Sequence, residues 1–246
     1  GYLRELLQSL TPIEHLLKEV IIFDNASNTE AHRKTLNEIS ESSPKIRLLL
    51  SKENLGPSLA RNQLCDEAQT ENLLFLDDDN LLDPFTFLRV IRNLPVDWQV
   101  VVTPLRRFKS EDFSQIHKSG FSLKDYQTLK DIETEVWLPL GDDCALNLIE
   151  NQVGDANFLV KKSFFQKVGG MNGQLSYGED QEFFAKASRK KVNYYLSPES
   201  FVFYRWHDAN LLKSISSSDK NYSLIESIGR LSHIDDFSNL LLLLKN

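Results

Sequence analysis

The sequence is poor in cysteine, has no apolar run long enough to cross a membrane, and carries no excess of positive charge. Its two cysteines, Cys65 and Cys144, cannot build a disulfide framework and fit a reducing compartment. The longest apolar run, residues 240–244, is far shorter than the ~20 residues that span a bilayer. A formal net charge of −7 gives none of the basic surface that is typical of nucleic-acid binding. We therefore expect a soluble globular protein that does not bind nucleic acid.

The sequence also lacks a visible signal peptide, an internal repeat and a low-complexity segment. We therefore expect a cytoplasmic protein, which would be peripheral to a membrane if its tail contacts one. The tail, residues 211–246, is predicted to be a C-terminal helical extension. The leucines at 240–244 are interpreted as a helix face that docks on the protein body, with contact to a membrane or another domain as the alternative.

Short apolar runs alternate with amphipathic segments along most of the chain. Apolar runs in which apolar and polar residues do not alternate, separated by helices, are typical of a mostly parallel sheet that is covered on both faces. The predicted strands are residues 19–23, 45–50, 72–76, 98–104, 192–196 and 200–206, and the main predicted helices are 2–9, 29–40, 54–68, 84–94 and 179–190. Residues 105–150 are rich in charge and show no sustained period, so we expect them to form an excursion over a site.

Acidic side chains follow two of the predicted strands. Asp24 ends the first apolar run, and Asp77, Asp78 and Asp79 end the run at 72–76. Ligands of such sheets bind at the carboxyl ends of the strands, so a site at this rim is plausible. Three adjacent carboxylates repel one another unless a positive charge lies among them. The triplet is therefore either a solvated turn that caps the helix near Pro84, or a divalent-cation site that holds a phosphorylated ligand.

Several motifs occur in a recognisable order. They are "YLRELLQSL", "IIFDNASN", "ENLGPSLARN", "FLDDDNLLDP", "GDANFLVKKSFFQKVGGMNGQLSYGEDQEFFAKA" and "YRWHDAN". Together they resemble glycosyltransferase family 2, the inverting nucleotide-sugar transferases with a GT-A fold. The resemblance covers residues 1 to about 210. It implies a GT-A-like fold with a Rossmann-type sheet, and a sugar transfer from a nucleotide-sugar, most simply a UDP-sugar, to a glycan or lipid-linked acceptor, as in polysaccharide biosynthesis.

The resemblance assigns a group of donor-binding residues. The strand-end carboxylate of Asp24 would accept a hydrogen bond from the nucleobase, usually uracil, although thymine offers the same edge. Its alternative role is an Asx turn after a strand. Arg61 would lie near the donor pocket, or would pair with a neighbouring carboxylate. Asn25 and Asp78 complete the predicted donor side together with Asp77.

The triplet then corresponds to the DxD motif of the family. Alternate residues of an extended segment point the same way, so Asp77 and Asp79 can face one side. Their oxygens suit Mn²⁺ or Mg²⁺, which would bridge the donor diphosphate. The resemblance implies Asp79 as a metal ligand, Asp77 as the second, and His207 as a further ligand or diphosphate contact. A helix cap, and a structural histidine, are the alternatives.

The acceptor side is assigned in the same way. The "ED" pair at a helix start implies Asp180 as the general base for the acceptor hydroxyl, with Glu179 contacting the acceptor or setting the geometry. Simple acidic capping of a helix N-terminus would give the same pattern. Asp155 and Trp206 are predicted to border the acceptor, Trp206 as a stacking platform or as a core aromatic.

The sequence departs from the family at two places. The opening strand of the family should precede residue 1, and it is absent from this chain; it either precedes the chain in a longer protein or has been lost. The usual acidic "GGFDE"-like segment reads "GGMNGQL". We expect residues 1–104 to form the nucleotide-sugar-binding part of the domain and residues 105–210 the acceptor-side part.

Three other functions are alternatives to sugar transfer. A nucleotidyltransferase would need a glycine-rich basic triphosphate loop near its first strand, which this sequence lacks. A haloacid-dehalogenase-like phosphatase would need a second acid in "FDNAS". A non-catalytic, transferase-like binding module within a larger protein remains the main alternative, and it predicts donor binding without turnover.

Overall fold

The computed structural model describes residues 1–109, 136–139, 151, 153–175 and 177–208. Its helices are α1 (Tyr2–Leu10), α2 (Glu30–Glu41), α3 (Gly56–Glu67), α4 (Pro84–Arg92), α5 (Lys162–Val168) and α6 (Glu179–Arg189), and a 3₁₀ helix spans Thr11–Leu16. The strands are β1 (Val20–Asp24), β2 (Ile46–Leu50), β3 (Asn72–Leu74), β4 (Leu81–Leu82), β5 (Val100–Val102), β6 (Leu105–Lys109), β7 (Val136–Trp137), β8 (Leu159–Lys161), β9 (Tyr194–Leu196) and β10 (Val202–Trp206). The predicted α/β fold is confirmed.

The described strands form three sheets. Their orders are β1-β2, β3-β8-β5-β9 and β4-β10-β6-β7. The two longest pairs, β1–β2 and β6–β10, are parallel, and so is β5–β9. The shorter pairs β3–β8, β5–β8, β4–β10 and β6–β7 are antiparallel. In the four-stranded sheet β3-β8-β5-β9, β8, from late in the chain, runs antiparallel between β3 and β5.

Helices cover both faces of the β3-β8-β5-β9 sheet, as predicted. Alternate strand residues point to opposite faces. Val100 and Val102 therefore pack with α5 and α6 in a cluster rich in phenylalanine, while Val101 packs with α4 and the 3₁₀ helix. Each face has its own apolar core, and these two cores fix the strand ends from which the polar side chains described below emerge.

Local signals explain where several elements begin. The hydroxyl of Thr29 accepts a hydrogen bond from the backbone N–H of His32, which caps α2. Asp83 caps α4, because its Oδ1 accepts from the backbone N–H groups of Phe85 and Thr86. Pro84 then occupies the first turn, where no backbone N–H is needed.

The region 105–150 contains more regular structure than its sequence pattern indicated. Leu105–Lys109 forms β6, which pairs in parallel with β10, and Val136–Trp137 forms β7. The arginines at 106 and 107 interrupt the apolar pattern of β6, which is why periodicity did not reveal a strand. The rest of the predicted excursion and the predicted helical tail at 211–246 lie outside the described residues. Among the described residues, no helix combines the length and apolar character that a membrane crossing requires.

Candidate active site

The aspartate triplet lies where β3 ends against β8. The backbone N–H of Phe75 still donates to the carbonyl of Phe158, at 3.0 Å, so strand pairing continues beyond the ladder. The backbone N–H of Asp77 then donates to Oδ1 of Asn157, at 2.8 Å. Because Asp83 supplies the cap of α4, the triplet does not cap that helix. Its three carboxylates are thus available for another role.

Asp77 is directed towards positive and amide groups of the protein. Its Oδ1 lies 2.6 Å from Nη2 of Arg61, and its Oδ2 accepts from Nδ2 of Asn157 at 3.1 Å. Both carboxylate oxygens therefore have partners within the chain.

Asp79 points elsewhere and meets His207. Its Oδ2 lies 2.9 Å from Nε2 of His207. The pKa of Asp79 is raised by burial, which outweighs the opposing effect of the hydrogen bond with His207. Asp78 is the exposed member of the triplet. Partial desolvation raises its pKa, and the charges of Asp79 and Asp77 raise it further.

Arg61 joins the triplet to the start of α6. Besides its contact with Asp77, its Nη1 lies 3.1 Å from Oε1 of Glu179. The Arg61 side chain is only 12% exposed, so these two ion pairs are largely shielded from water. A residue on α3 thereby brings together two acidic motifs that are about a hundred residues apart in sequence. These contacts fit the ion-pair role of Arg61, and its place near the donor pocket stays a prediction.

Asp180 lies in the first turn of α6, beside Glu179. Gly178 precedes it with φ of 74°, a left-handed conformation that a glycine adopts without strain. Oδ1 of Asp180 accepts from the backbone N–H of Gln181 at 2.7 Å, and Oδ2 accepts from Nδ2 of Asn151 at 3.3 Å. Burial, and then the charge of Glu179, raise the pKa of Asp180 to about 8. A carboxyl group in this state can exchange a proton near neutral pH.

Asp155 is connected to the triplet through Asn157. The Asn157 side-chain amide donates to Asp155 at 2.9 Å and to Asp77 at 3.1 Å. Burial, followed by the charge of Asp77, raises the pKa of Asp155 to about 6. Asp155 therefore belongs to the same group of carboxylates as Asp77 and Asp180, since its charge also raises the pKa of Asp180.

Asp24 and Asn25 lie at the end of β1 and organise two turns. Oδ1 of the buried Asp24 accepts from the backbone N–H of Ser27 at 3.2 Å, in an Asx-type turn. The Asn25 amide accepts from the backbone N–H of Leu55 at 2.7 Å and donates to Asn54 at 2.9 Å. Asn25 thus holds the loop that leads into α3, and its role in binding the nucleotide-sugar stays a prediction.

Trp206 lies on β10 beside a cation. The guanidinium of Arg107, on the paired strand β6, lies 5.2 Å from the centroid of a Trp206 ring. Tyr204, two residues earlier on β10, is half-buried, and burial together with the charges of Asp155 and Asp77 raises the pKa of its hydroxyl. The two aromatic residues share one face of the strand, and Tyr204 is the one that lies near the carboxylates.

Four residues near these carboxylates were not identified as site residues from the sequence. They are Asn151, Asn157, Tyr204 and Arg205. Asn157 and Arg205 lie inside quoted motifs, but an asparagine or arginine there gives no signal of its partners. Their contacts come from the tertiary pairing of β8 and β10 with the triplet, which the sequence alone does not specify.

The departure "GGMNGQL" packs directly on α3. The Asn62 side chain donates to the carbonyl of Met171 and accepts from its backbone N–H, both at 2.8 Å. A Cβ on Gly173 would overlap the side chain of Leu59, so that position is closely packed. This loop therefore fixes α3, and with it Arg61, relative to the chain that leads into α6.

Comparisons with known proteins indicate the family and the fold of the chain. The sequence profile described as glycosyl transferase family 2 matches residues 1–164. No curated protein matches the sequence. Among similar solved structures, residues 1–349 of TarS from S. aureus in complex with UDP-GlcNAc match with a TM-score of 0.66 and 16% identity, over 92% of this chain and 61% of that one.

Two further TarS structures match similarly. The complex with UDP has a TM-score of 0.60 and 17% identity, over 92% of this chain and 60% of that one. The third TarS structure has a TM-score of 0.56 and 17% identity, over 83% of this chain and 57% of that one. At these identities the likeness concerns the fold, and the chain spans about three fifths of the TarS structures. It supports the predicted GT-A-like fold.

The family assignment rests on the profile match. The matched segment contains α1 to α4, the triplet and β8, and it covers 164 of the 246 residues. The first four motifs that suggested the family lie within the matched segment, and the motif that begins at Gly154 starts inside it. The chain belongs to glycosyl transferase family 2.

Proposed function

We propose that this protein transfers a sugar from a nucleotide-sugar donor to a hydroxyl of a glycan or lipid-linked acceptor, with inversion at the anomeric carbon. The donor is a UDP-sugar in this proposal, and UDP-GlcNAc is the first to test because a similar TarS structure holds it. The observation that carries the proposal is the bridge made by Arg61. It holds Asp77 and Glu179 on one guanidinium, and so keeps the triplet next to Asp180.

Asp24 is the proposed contact for the nucleobase. One of its oxygens accepts from Ser27, and its other oxygen receives no hydrogen bond from the described residues. An ionised carboxylate at a strand end can accept from the ring N3–H of uracil, or equally of thymine. UDP and dTDP are therefore the two nucleotides to compare.

A divalent cation, Mn²⁺ or Mg²⁺, fits the carboxylates of the triplet only with help from a ligand. In the described part of the chain, no three His, Cys, Asp or Glu side chains are grouped so as to hold a metal ion by themselves. Asp79 and His207 offer an oxygen and a nitrogen 2.9 Å apart, which suits a cation that is completed by phosphate oxygens and water. When bound, such a cation would offset the charge of the leaving diphosphate.

The other members of the triplet have supporting roles in this proposal. Asp77 has both oxygens engaged by Arg61 and Asn157, so it orients the site. Its predicted role as a second metal ligand would require it to leave one of these partners. Asp78 is exposed and adds negative charge on the side of the site where the nucleotide-sugar is proposed to bind.

Asp180 is the proposed general base. The acceptor hydroxyl loses its proton to the carboxylate as its oxygen bonds to the anomeric carbon and the bond to the diphosphate breaks. A raised pKa makes the Asp180 carboxylate a stronger base than an exposed aspartate. Glu179 is held by Arg61, and so it sets the position of the first turn of α6. Asp155 and Trp206 are the proposed acceptor contacts. Asp155 lies just before β8, and Trp206 lies on β10.

Titration of UDP into the protein by calorimetry tests the donor side. We expect binding in the presence of Mn²⁺, a large loss of affinity with EDTA, and the same loss in Asp79→Ala. Glu41→Ala, which removes an exposed carboxylate of α2, is the matched control and should bind as the wild type does. Absence of UDP and dTDP binding in the folded wild type would contradict the proposal. Binding without transfer of any sugar would favour the non-catalytic module.

A further inference from the structure

Arg205 is the largest fully buried side chain among the described residues. It is only 1% exposed and lies on β10, between Tyr204 and Trp206. A buried guanidinium is costly unless its charge and its N–H groups have partners. Where those partners lie therefore indicates what the residue does.

One set of partners belongs to the turn that carries the triplet. Nε of Arg205 donates to the backbone carbonyl of Asp79 at 2.7 Å. The backbone N–H of Arg205 donates to Oδ1 of the fully buried Asn80 at 2.9 Å. Two consecutive residues of the turn are thus fixed to β10 through one arginine.

A second set of partners lies on α1 and β6. Nη2 of Arg205 lies 2.6 Å from Oε2 of Glu5, whose side chain is 22% exposed. The guanidinium carbon lies 4.3 Å from the ring centroid of Tyr2, and 4.8 Å from that of Phe108. A planar guanidinium can meet a carboxylate, a carbonyl and two rings at once, whereas an ammonium cannot.

Tyr2 also contacts His207. The ring centroids of Tyr2 and His207 lie 5.1 Å apart. Arg205 thus holds the backbone of Asp79, and Tyr2, which packs on the same arginine, supports the imidazole that meets the Asp79 carboxylate. Residues of α1 therefore contact the Asp79–His207 pair indirectly, Glu5 through Arg205 and Tyr2 through the imidazole.

We propose that Arg205, neutralised by Glu5, is a positioning residue that sets the geometry of the Asp79–His207 pair for a divalent cation. This inference rests on the proposed function. Arg205 touches neither reacting atoms nor the cation in this proposal, and it acts through the carbonyl of Asp79. Mutation of a residue that bonds to a metal ligand, without binding the metal itself, typically changes metal affinity by about 10–100-fold.

The test is the affinity for Mn²⁺ in the presence of saturating UDP, measured by calorimetry for Arg205→Lys and Glu5→Gln. We expect a loss of about 10-fold or more in both variants, since both disturb the same guanidinium. Metal-free UDP affinity, measured in EDTA, should stay as in the wild type, because Asp24 lies on β1 and has no contact with Arg205. A role in folding alone would lower the melting temperature and leave the Mn²⁺ affinity of the folded protein unchanged, which would overturn the inference.

Arg4→Gln is the matched control. It removes an exposed ion pair with Glu38 from the same helix, α1, and should leave the Mn²⁺ affinity unchanged. If Arg205→Lys does not fold, Glu5→Gln alone decides, because it keeps the arginine and the shape of its partner.

Crystal structures of the unliganded wild type and of Glu5→Gln separate this inference from the proposed function. If the wild type binds neither Mn²⁺ nor UDP, the proposed function fails, and the separation of His207 Nε2 from Asp79 Oδ2 still reports on Arg205. An increase from 2.9 Å in the variant would support the positioning role. An unchanged pair would overturn it.

Discussion

At the residue scale, the protonation of Asp180 should make the rate of sugar transfer depend on pH. Burial and the charge of Glu179 raise its pKa to about 8, so in the free protein at neutral pH most molecules hold a proton there. A base must be ionised to accept the proton of the acceptor. We therefore expect kcat/KM for sugar transfer to rise as the pH increases and to level off above about pH 8.

Initial rates measured across this pH range with a fixed UDP-sugar and acceptor give the profile. The wild type itself, checked by circular dichroism at each pH, controls for unfolding. A rate that does not change with pH below the pKa of Asp180 would contradict the assignment of that carboxyl as the base.

The same pKa shift has a consequence for stability. A carboxyl whose pKa is higher in the folded than in the unfolded protein favours folding when it is protonated, and this contribution is lost as the pH rises from 3.8 through about 8. Asp180→Asn has no charge to bury. Above about pH 8 we expect the variant to melt at a higher temperature than the wild type, by about 2–4 °C for each kcal/mol regained.

Thermal melts of both proteins at acidic and alkaline pH check this prediction. Near pH 4 the two melting temperatures should converge, because Asp180 is then neutral in the folded wild type. A variant that is equally destabilised at every pH would show that Asp180 has a structural role that its charge does not explain.

Arg61 provides a third residue-scale prediction. Arg61→Gln leaves the carboxylates of Asp77 and Glu179 without their cation, and Glu179 is only 12% exposed. Removing one partner from such a buried pair costs about 3 kcal/mol, at the low end because Asp77 is one third exposed. Urea unfolding measures the loss.

The control is Arg89→Gln. Arg89 pairs with the carboxylate of Glu199, and both side chains are more than half exposed. Its replacement should cost far less, because exposed ion pairs contribute little. Equal losses from the two variants would mean that the Arg61 bridge is not shielded from water.

At the scale of elements, the connection between α5 and α6 positions the start of α6. Gly169 and Gly170 both have positive φ, 95° and 64°. A Cβ on Gly169 would meet nothing within 4 Å, whereas a Cβ on Gly170 would lie 2.6 Å from Oδ1 of Asn62. Gly170→Ala should therefore cost more stability than Gly169→Ala, which carries only the backbone cost of a left-handed conformation, about 1–2 kcal/mol.

Urea unfolding of the two alanine variants isolates the effect of the Asn62 contact. The difference between them reports on how firmly α3 holds the segment at Met171, since Asn62 makes both hydrogen bonds to that residue. Equal losses from the two variants would show that the loop can move away from α3 without cost.

The elements also show what the sequence could and could not predict. Apolar runs with clear caps, such as those of α2 and α4, gave helices at nearly the right residues. The strand β6 was missed because two arginines interrupt its apolar pattern, and one of them faces Trp206 across the strands. The antiparallel insertion of β8 between β3 and β5 depends on long-range pairing, which no local pattern encodes.

The same division applies to the site. The acidic motifs were visible because their residue types are unusual at the ends of apolar runs. The contacts that organise these motifs were not visible in the sequence. Asn157 and Arg205 bond to the turn that carries the triplet only because the folded chain brings them there. Whether each predicted residue binds donor, metal or acceptor remains a prediction.

At the scale of the whole molecule, the site depends on both ends of the described chain. Glu5 and Arg205 are 200 residues apart and form one ion pair, while Arg61 and Glu179 form another across 118 residues. The family match ends at residue 164, before Asp180, Arg205 and His207. The part of the chain beyond that match therefore supplies the proposed base and the partner of Asp79.

The measurement that tests the central claim most directly is sugar transfer by Asp180→Asn, with UDP affinity measured on the same preparation. Loss of a general base should slow transfer by about 10²–10⁴-fold. The UDP affinity should remain that of the wild type, because the donor contacts lie on β1 and the triplet. Glu41→Gln, an exposed carboxylate on α2, should keep both properties. Transfer at the wild-type rate by Asp180→Asn would contradict the proposed mechanism.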